Sequence, residues 1–380
     1  MRLDQLESYL QADPDNGTLL LDAFRAALAC SEWSRAAVHL SSGQALPGQS
    51  LAWALNESEL WLAQSLWSQA RTVLESLSGI SEAPPEFRLA VAHNLGFVAF
   101  QEANFAACVA QLEGFLEADA HSVVNPVTQQ LWLRALHRTG ELERACRWAK
   151  LAEAQGNLSP QAASIASLVA VDASDVVTAQ RWANMALQYL SGQDRPLEAL
   201  VTKASLALAT NNAADGQKFA LAALQISPAD GRAWSVQAFA QLLADQLLLA
   251  RESFAKALAA MPGHIGTWHG QGWTQIQLGD LDAALASFEA ALALDRNFAE
   301  SHGGVAVVLA MQNHVEQATT HIELAERLDK SNLTGRYARS IVSGEAKDAQ
   351  ALQKLAQRLL GDKPAPFGGS IADVVKRRQP

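Results

Sequence analysis

The side chains most able to do chemistry in this sequence are its nine histidines, and their spacing does not form a ligand set. Two metal ligands on one helical face are expected three or four residues apart, whereas the histidines of the last third stand at intervals that include five, seven and twelve residues. The motifs GxxxxGK[ST], GxSxG and HExxH do not occur. We therefore expect no metal site, no cofactor and no catalytic site. Five histidines are interpreted as solvated or packing side chains: His264, His269, His302, His314 and His321.

Three basic-aromatic pairs are a second candidate, this time for ligand binding. A row of aromatic rings flanked by cations could bind a ligand. The alternative is that each ring packs into a seam between helices, and this alternative is favoured because aromatics at helical spacing usually belong to the core. The pairs are Arg147-Trp148, Arg181-Trp182 and Lys218-Phe219.

Composition limits the class of protein. The 380-residue chain is 49% hydrophobic and 18% charged, which predicts a folded protein with a large core. Its net charge of -10 has the wrong sign for tracking a nucleic-acid backbone, so we expect no nucleic-acid partner. No stretch approaches about 18 uninterrupted apolar residues, so we expect no membrane insertion. The amino terminus lacks the pattern of a signal peptide and the three cysteines form no CxxC pair, which together predict a cytoplasmic protein.

Internal repeats organise the sequence. Prolines recur once per short unit between Pro14 and Pro262, and because proline is excluded from helix interiors they mark regular breaks between helices. A small-bulky-small triplet such as Ala284, Phe288 and Ala291 also recurs, and its offsets of four and seven residues place it on one helical face. The spacing predicts a helical hairpin as the unit. The first residues of the triplets are 36, 70, 108, 145, 179, 216, 250, 284 and 318, at intervals of 34, 38, 37, 34, 37, 34, 34 and 34.

This unit resembles the tetratricopeptide repeat (TPR) family, whose unit is a helix-turn-helix of about 34 residues. A close match is the segment GTWHGQGWTQIQLGDLDAALASFEAALALDRN. The resemblance implies an all-α fold, a TPR-type α-solenoid or superhelix of hairpins with a short mobile C-terminal tail, in which neighbouring repeats share a continuous core. It implies an N-terminal capping helix in residues 1–16, with Leu6 and Tyr9 facing the first repeat. The other implied segments are nine repeats (17–50, 51–84, 89–122, 126–159, 160–193, 197–230, 231–264, 265–298 and 299–332), C-terminal capping helices (333–361) and a flexible tail (362–380).

The resemblance also implies a binding groove. In this family the first helices of successive repeats line a concave surface that takes an extended peptide or a partner helix. Two arginines beside amides and a phenylalanine suit an acidic or carboxylate-bearing segment, and a solvated polar face without a fixed ligand is the alternative. The Lys/Asn arrangement of the carboxylate-clamp subfamily is not reproduced. The implied groove residues are His93, Asn94, Phe97, Gln101, Gln130, Arg134, His137, Arg138, Phe239, His269, Trp273 and Gln277.

The function predicted from these features is a non-enzymatic scaffold or adaptor that binds a protein or peptide. Three alternatives stay open: an assembly chaperone for a secretion or pilus-type complex, a peptide-sensing regulatory protein, and an enzyme with a hidden site. The C-terminal tail is predicted to carry a docking motif, because apolar residues stand there among Pro, Gly and charge; an inert end is the alternative. The residues of this motif are Phe367, Ile371, Val374 and Val375.

Overall fold

The computed structural model describes residues 3–48, 50–117, 125–189 and 196–345 of the chain. Within these ranges it contains 20 α-helices and no β-strand, so the predicted all-α fold is confirmed. The residues predicted to form the second C-terminal capping helix, and the tail motif of Phe367, Ile371, Val374 and Val375, lie outside the described residues.

The helices form two compact units, residues 1–169 and 170–380, and the boundary falls within one helix. The helices up to that boundary are α1 (Leu3–Ala12), α2 (Gly17–Ala29), α3 (Trp33–Gln44), α4 (Ser50–Ala63), α5 (Trp67–Ser78), α6 (Pro85–Gln101), α7 (Phe105–Leu116), α8 (Pro126–Thr139), α9 (Leu142–Ala154) and the boundary helix α10 (Pro160–Asp172). The second unit continues with α11 (Val176–Tyr189), α12 (Leu197–Ala209), α13 (Ala213–Ile226), α14 (Gly231–Leu243), α15 (Leu247–Ala260), α16 (Ile265–Gln277), α17 (Leu281–Leu294), α18 (Ala299–Met311), α19 (Val315–Leu328) and α20 (Leu333–Val342).

Each hairpin turn contains one residue with a left-handed backbone. In the turn after α16 this residue is Gly279, with φ 80°, and the amide of the next residue, Asp280, donates to the carbonyl of Gln275 over 2.9 Å. This six-to-one bond is the Schellman ending of a helix. The side chain of Asp280 then accepts from the amide of Ala283 and caps α17. The left-handed residues are Ser31, Ser65, Ala103, Gly140, Ser174, Asn211, Asp245, Gly279 and Asn313, at the same intervals as the triplets.

Small residues on one helix receive a large residue from the other, and this contact builds the core. Ala284, Phe288 and Ala291 of α17 are fully buried, as the triplet pattern predicts. A β-carbon added to Gly272 of α16 would lie 2.8 Å from the ring of Phe288, closer than van der Waals contact allows. The absence of a side chain at Gly272 therefore lets the two helices approach until the ring fills the space between them.

The capping helix α1 buries one stripe, and one prediction about it is wrong. Leu3, Leu6 and Leu10 are buried, whereas Tyr9 is 46% exposed and its hydroxyl accepts a 2.8 Å bond from Gln5. Tyr9 does not face the first repeat, because it is one residue before Leu10 and thus about 100° around the helix from it. A stripe at residues 3, 6 and 10 is enough to cover the first hairpin, and the ring of Tyr9 lies at its border.

Candidate functional site

Two exposed arginines mark the candidate site of the first unit. Arg134 and Arg138 stand one turn apart on α8, which places them on the same helical face. The guanidinium carbon of Arg138 lies 5.0 Å from the centroid of the Phe105 ring, at the start of α7. This distance is that of a cation–π contact between the guanidinium and the ring. The ring beside Arg138 is Phe105 of α7, whereas the phenylalanine predicted for the groove is Phe97.

Other predicted groove residues of this unit link neighbouring first helices to one another. The Nδ1 atom of His93 on α6 lies 3.0 Å from the hydroxyl of Thr128 on α8. On the other side of α6, the amide nitrogen of Asn94 lies 3.5 Å from the hydroxyl of Ser58 on α4. Burial lowers the pKa of His93, so the ring is neutral at pH 7. His93 and Asn94 therefore stabilise the stack and have less capacity left for a ligand.

Of the remaining predicted residues of the first unit, some contact other parts of the fold and others stay exposed. Phe97 packs edge-on against Trp67, with the ring centroids 6.1 Å apart, and is half-buried. The side chain of Gln130 donates a 3.3 Å bond to the carbonyl of Pro126 in its own helix. The polar residues of this face that stay exposed or half-exposed are Gln101, Gln130, Arg134, His137 and Arg138.

In the second unit, the predicted groove residue His269 is half-buried between two successive first helices. Its Nε2 atom lies 2.7 Å from the hydroxyl of Ser301 on α18. The rings of Phe288 and Phe298 lie 5.7 Å and 5.5 Å from its own, centroid to centroid. Burial lowers the pKa of His269 to about 4, so the ring is neutral at pH 7. This histidine joins two successive first helices.

The other predicted residues of the second unit form an aromatic surface. Phe239 packs edge-on against Phe254, with centroids 4.9 Å apart, and Trp273 packs edge-on against Phe288 at 5.7 Å. Phe239, Trp273 and Gln277 are all half-buried. The predicted groove residues of the second unit are therefore mainly apolar, whereas the exposed ones of the first unit include two arginines.

Two of the three rings in the basic-aromatic pairs are buried, which agrees with the favoured interpretation that they pack between helices. Trp148 is buried and its indole N–H donates to the carbonyl of Leu116 over 3.0 Å, and Trp182 is fully buried. Phe219 differs because it is half-buried, with the ammonium groups of Lys203 and Lys218 each 5.7 Å from its ring centroid.

The half-buried carboxylate of Glu59, on the first helix α4, was not among the predicted site residues. Burial raises the pKa of Glu59 on α4, and the charge of Arg25 on α2 opposes that rise. Arg25, Glu59, Phe97 and Arg134 occupy the same position in four successive repeats, since their intervals of 34, 38 and 37 residues are those of the triplets. The repeat register therefore contained the signal that would have found Glu59.

A pair of histidines in the second unit was missed as well. The Nδ1 atoms of His302 on α18 and His321 on α19 lie 3.1 Å apart. The two residues are 19 positions apart, so a search for ligand spacing along one helix could not find them. Across the described ranges, no group of three or more His, Cys, Asp or Glu residues is placed to hold a metal ion. None of the helices described there combines the length and the apolarity needed to cross a bilayer.

The helices and their contacts define a class of protein, an all-α repeat protein in which successive hairpins stack through small-large contacts. Residues 265–298 match the family described as tetratricopeptide repeat. The chain therefore contains a tetratricopeptide repeat at residues 265–298, which are α16 and α17 with their flanking turns. No curated protein matches it by sequence.

Solved structures of other proteins are similar to this chain. A monomeric mutant of IFIT1 with m7Gppp-AAAA is 13% identical, has a TM-score of 0.55, and the match covers 94% of this chain and 91% of that one. The APC/C hetero-tetramer Cut9-Hcn1 is 14% identical with a TM-score of 0.46 and coverage of 99% and 82%. MamA is 13% identical with a TM-score of 0.37 and coverage of 42% and 92%. At 13% identity, the likeness to IFIT1 concerns the fold alone.

Proposed function

We propose that this chain is a non-enzymatic protein-interaction scaffold whose first unit binds an acidic peptide or partner helix at Arg134 and Arg138. The tetratricopeptide repeat match supports a protein-interaction scaffold in general. The acidic partner and the groove are the specific part of the proposal. They rest on the chemistry of the exposed cations of α8.

The observation that carries the proposal is the contact between the guanidinium of Arg138 and the ring of Phe105, 5.0 Å from carbon to centroid. A cation–π contact restrains the group and does not itself consume a hydrogen-bond donor. A guanidinium held in this way presents its N–H groups in the fork geometry that matches a carboxylate. Arg134, one turn earlier on the same face, adds a second cation, so two carboxylates one turn apart on a partner helix fit the pair.

The net charge of the whole chain favours Arg134 and Arg138 as the place where an acidic partner binds. A net charge of -10 repels acidic partners over most of the molecule, so an acidic segment is attracted only where cations cluster. The same charge supports a protein partner over a nucleic acid. We also propose a cytoplasmic location, which is supported by the free cysteines, of which Cys108 and Cys146 are buried.

An array of synthetic peptides tests the proposal on the full chain. Peptides rich in Asp and Glu are compared with the same peptides in which Asn and Gln replace the acids. The proposal expects binding to the acidic set, weakened by added salt, and little binding to the amide set. Equal binding to both sets would contradict a role for carboxylate recognition.

A further inference from the structure

A ring at one fixed repeat position closes the loop before three successive first helices of the second unit, α14, α16 and α18. The indole N–H of Trp268 donates to the carbonyl of Pro262, six residues earlier, over 2.8 Å, and Trp234 makes the same bond one repeat before. His302 occupies this position in the next repeat, and its Nε2 atom lies 3.0 Å from the carbonyl of Arg296, again six residues earlier.

This equivalence assigns the proton on His302. A backbone carbonyl only accepts, so the Nε2 atom of His302 must donate, as the indole nitrogen does in the other two repeats. In a neutral ring the Nδ1 atom of His302 then carries a lone pair. That lone pair faces the Nδ1 atom of His321 at 3.1 Å. In the free chain the Nδ1 proton therefore belongs to His321, which donates it to His302.

We propose that His302 and His321 form a two-histidine chelate for a divalent transition-metal ion, bound between their Nδ1 atoms. Two nitrogens bound to one ion at about 2.0–2.1 Å lie about 2.9 to 3.4 Å apart for ligand angles between about 90° and 109°. The observed 3.1 Å falls inside that range. On binding, His321 moves its proton from Nδ1 to Nε2, so both ligands stay neutral and the ion replaces the proton between the two rings.

The surroundings of the pair fit this role. The Nε2–H bond from His302 to the Arg296 carbonyl is the kind of outer bond that orients imidazole ligands on a metal. Both histidines are half-buried, so the ion can be reached from solvent.

The chemistry of the ligands limits the ion. Imidazole nitrogen suits Zn²⁺, Cu²⁺, Ni²⁺ and Co²⁺, whereas Mg²⁺ and Ca²⁺ prefer oxygen. Two protein ligands leave the other coordination positions to water or to a donor group of a second molecule. The site is thus an open one.

Zn²⁺ titration of the full chain without an affinity tag, followed by calorimetry, tests the proposal. His302→Trp is the sharpest variant, because tryptophan stands at this position in the two preceding repeats and keeps the bond to the loop carbonyl. Losing one of two ligands is expected to weaken Zn²⁺ binding at least about tenfold, and His321→Gln should do the same. His314→Gln, an exposed histidine at the start of α19, is the matched control and should bind Zn²⁺ like the unmodified chain.

Nitrogen NMR of the imidazole rings gives a second readout that does not depend on affinity. Zn²⁺ should shift the Nδ1 resonances of His302 and His321 and move the proton of His321 to Nε2, and Mg²⁺ should change neither. Unchanged Zn²⁺ affinity in a folded His302→Trp variant, or Nδ1 resonances that do not respond to Zn²⁺, would show that the pair is a shared-proton hydrogen bond only.

Discussion

The half-buried histidine His269 of the second unit predicts how stability depends on pH. His269 is neutral in the fold because the rings of Phe288 and Phe298 exclude water from it, and its pKa is lowered from the ordinary value of 6.5 to about 4. Between these two values the unfolded chain binds a proton at this residue and the folded chain does not. The stabilisation is therefore fully present above pH 6.5 and is lost as the pH falls toward 4.

The magnitude follows from the size of the pKa shift. At about 1.4 kcal/mol per unit, the complete effect is about 3 kcal/mol, and between pH 8 and pH 5 the linkage amounts to about 2 kcal/mol. His269→Gln removes the titration and keeps a group that can bond to the hydroxyl of Ser301. The free energy of unfolding of the unmodified chain, relative to the variant, should thus fall by about 2 kcal/mol over this range.

Equilibrium urea unfolding at several pH values measures this difference. All other titratable groups are the same in the two proteins, so the difference between the proteins reports on His269 alone. His314→Gln serves as a control for losing an exposed histidine. A difference between chain and variant that stays constant from pH 8 to pH 5 would refute the burial argument.

Four further substitutions test the turns, the missed carboxylate and the core. Ala103 and Gly279 both have a left-handed backbone, which glycine adopts without the steric cost that alanine has. Ala103→Gly should therefore raise the free energy of unfolding by about 1 kcal/mol, and Gly279→Ala should lower it by a similar amount. Urea unfolding measures both changes. Glu59→Gln should stabilise the chain at pH 7 and not at pH 4, because the raised pKa of this carboxyl makes its charged form unfavourable in the fold. Thermal melts of the chain and the variant at both pH values test this, and an equal stabilisation at the two pH values would contradict it. Gly272→Ala should lower the free energy of unfolding by about 1 to 3 kcal/mol through overlap with Phe288, and an unchanged midpoint of urea unfolding would show that the contact can relax.

The periodicity of the sequence was sufficient to predict the fold class. A helical hairpin buries its apolar faces only against its neighbours, so the same small-large contact is needed in every repeat and is visible as a repeated triplet. The buried Ala284, Phe288 and Ala291 follow directly from that pattern. The pattern does not predict the burial of a residue such as Tyr9 at the edge of the stripe, because the width of the buried stripe depends on how much of it the next helix covers.

The candidate site was harder to predict for a physical reason. A residue on a first helix lies near the first helices of the preceding and the following repeat, so its contacts depend on residues more than 30 positions away. His93 and His269 therefore bond to the neighbouring helix instead of staying open to a ligand. Arg134 and Arg138 remain exposed. The ring beside Arg138 and the partner of His302 could be found only from the structure.

Charge reversal at Arg134 and Arg138 tests the central claim most directly. An acidic peptide from the array is titrated by fluorescence anisotropy against the full chain, against the variant with Arg134→Glu and Arg138→Glu, and against a control with Arg147→Glu and Lys150→Glu on the exposed side of α9. Charged hydrogen bonds contribute about 1.5 to 3 kcal/mol each, so the first variant should bind at least about tenfold more weakly while the control, with the same change in net charge, should not. Equal weakening in the two variants, or none in the first, would contradict the assignment of binding to these arginines.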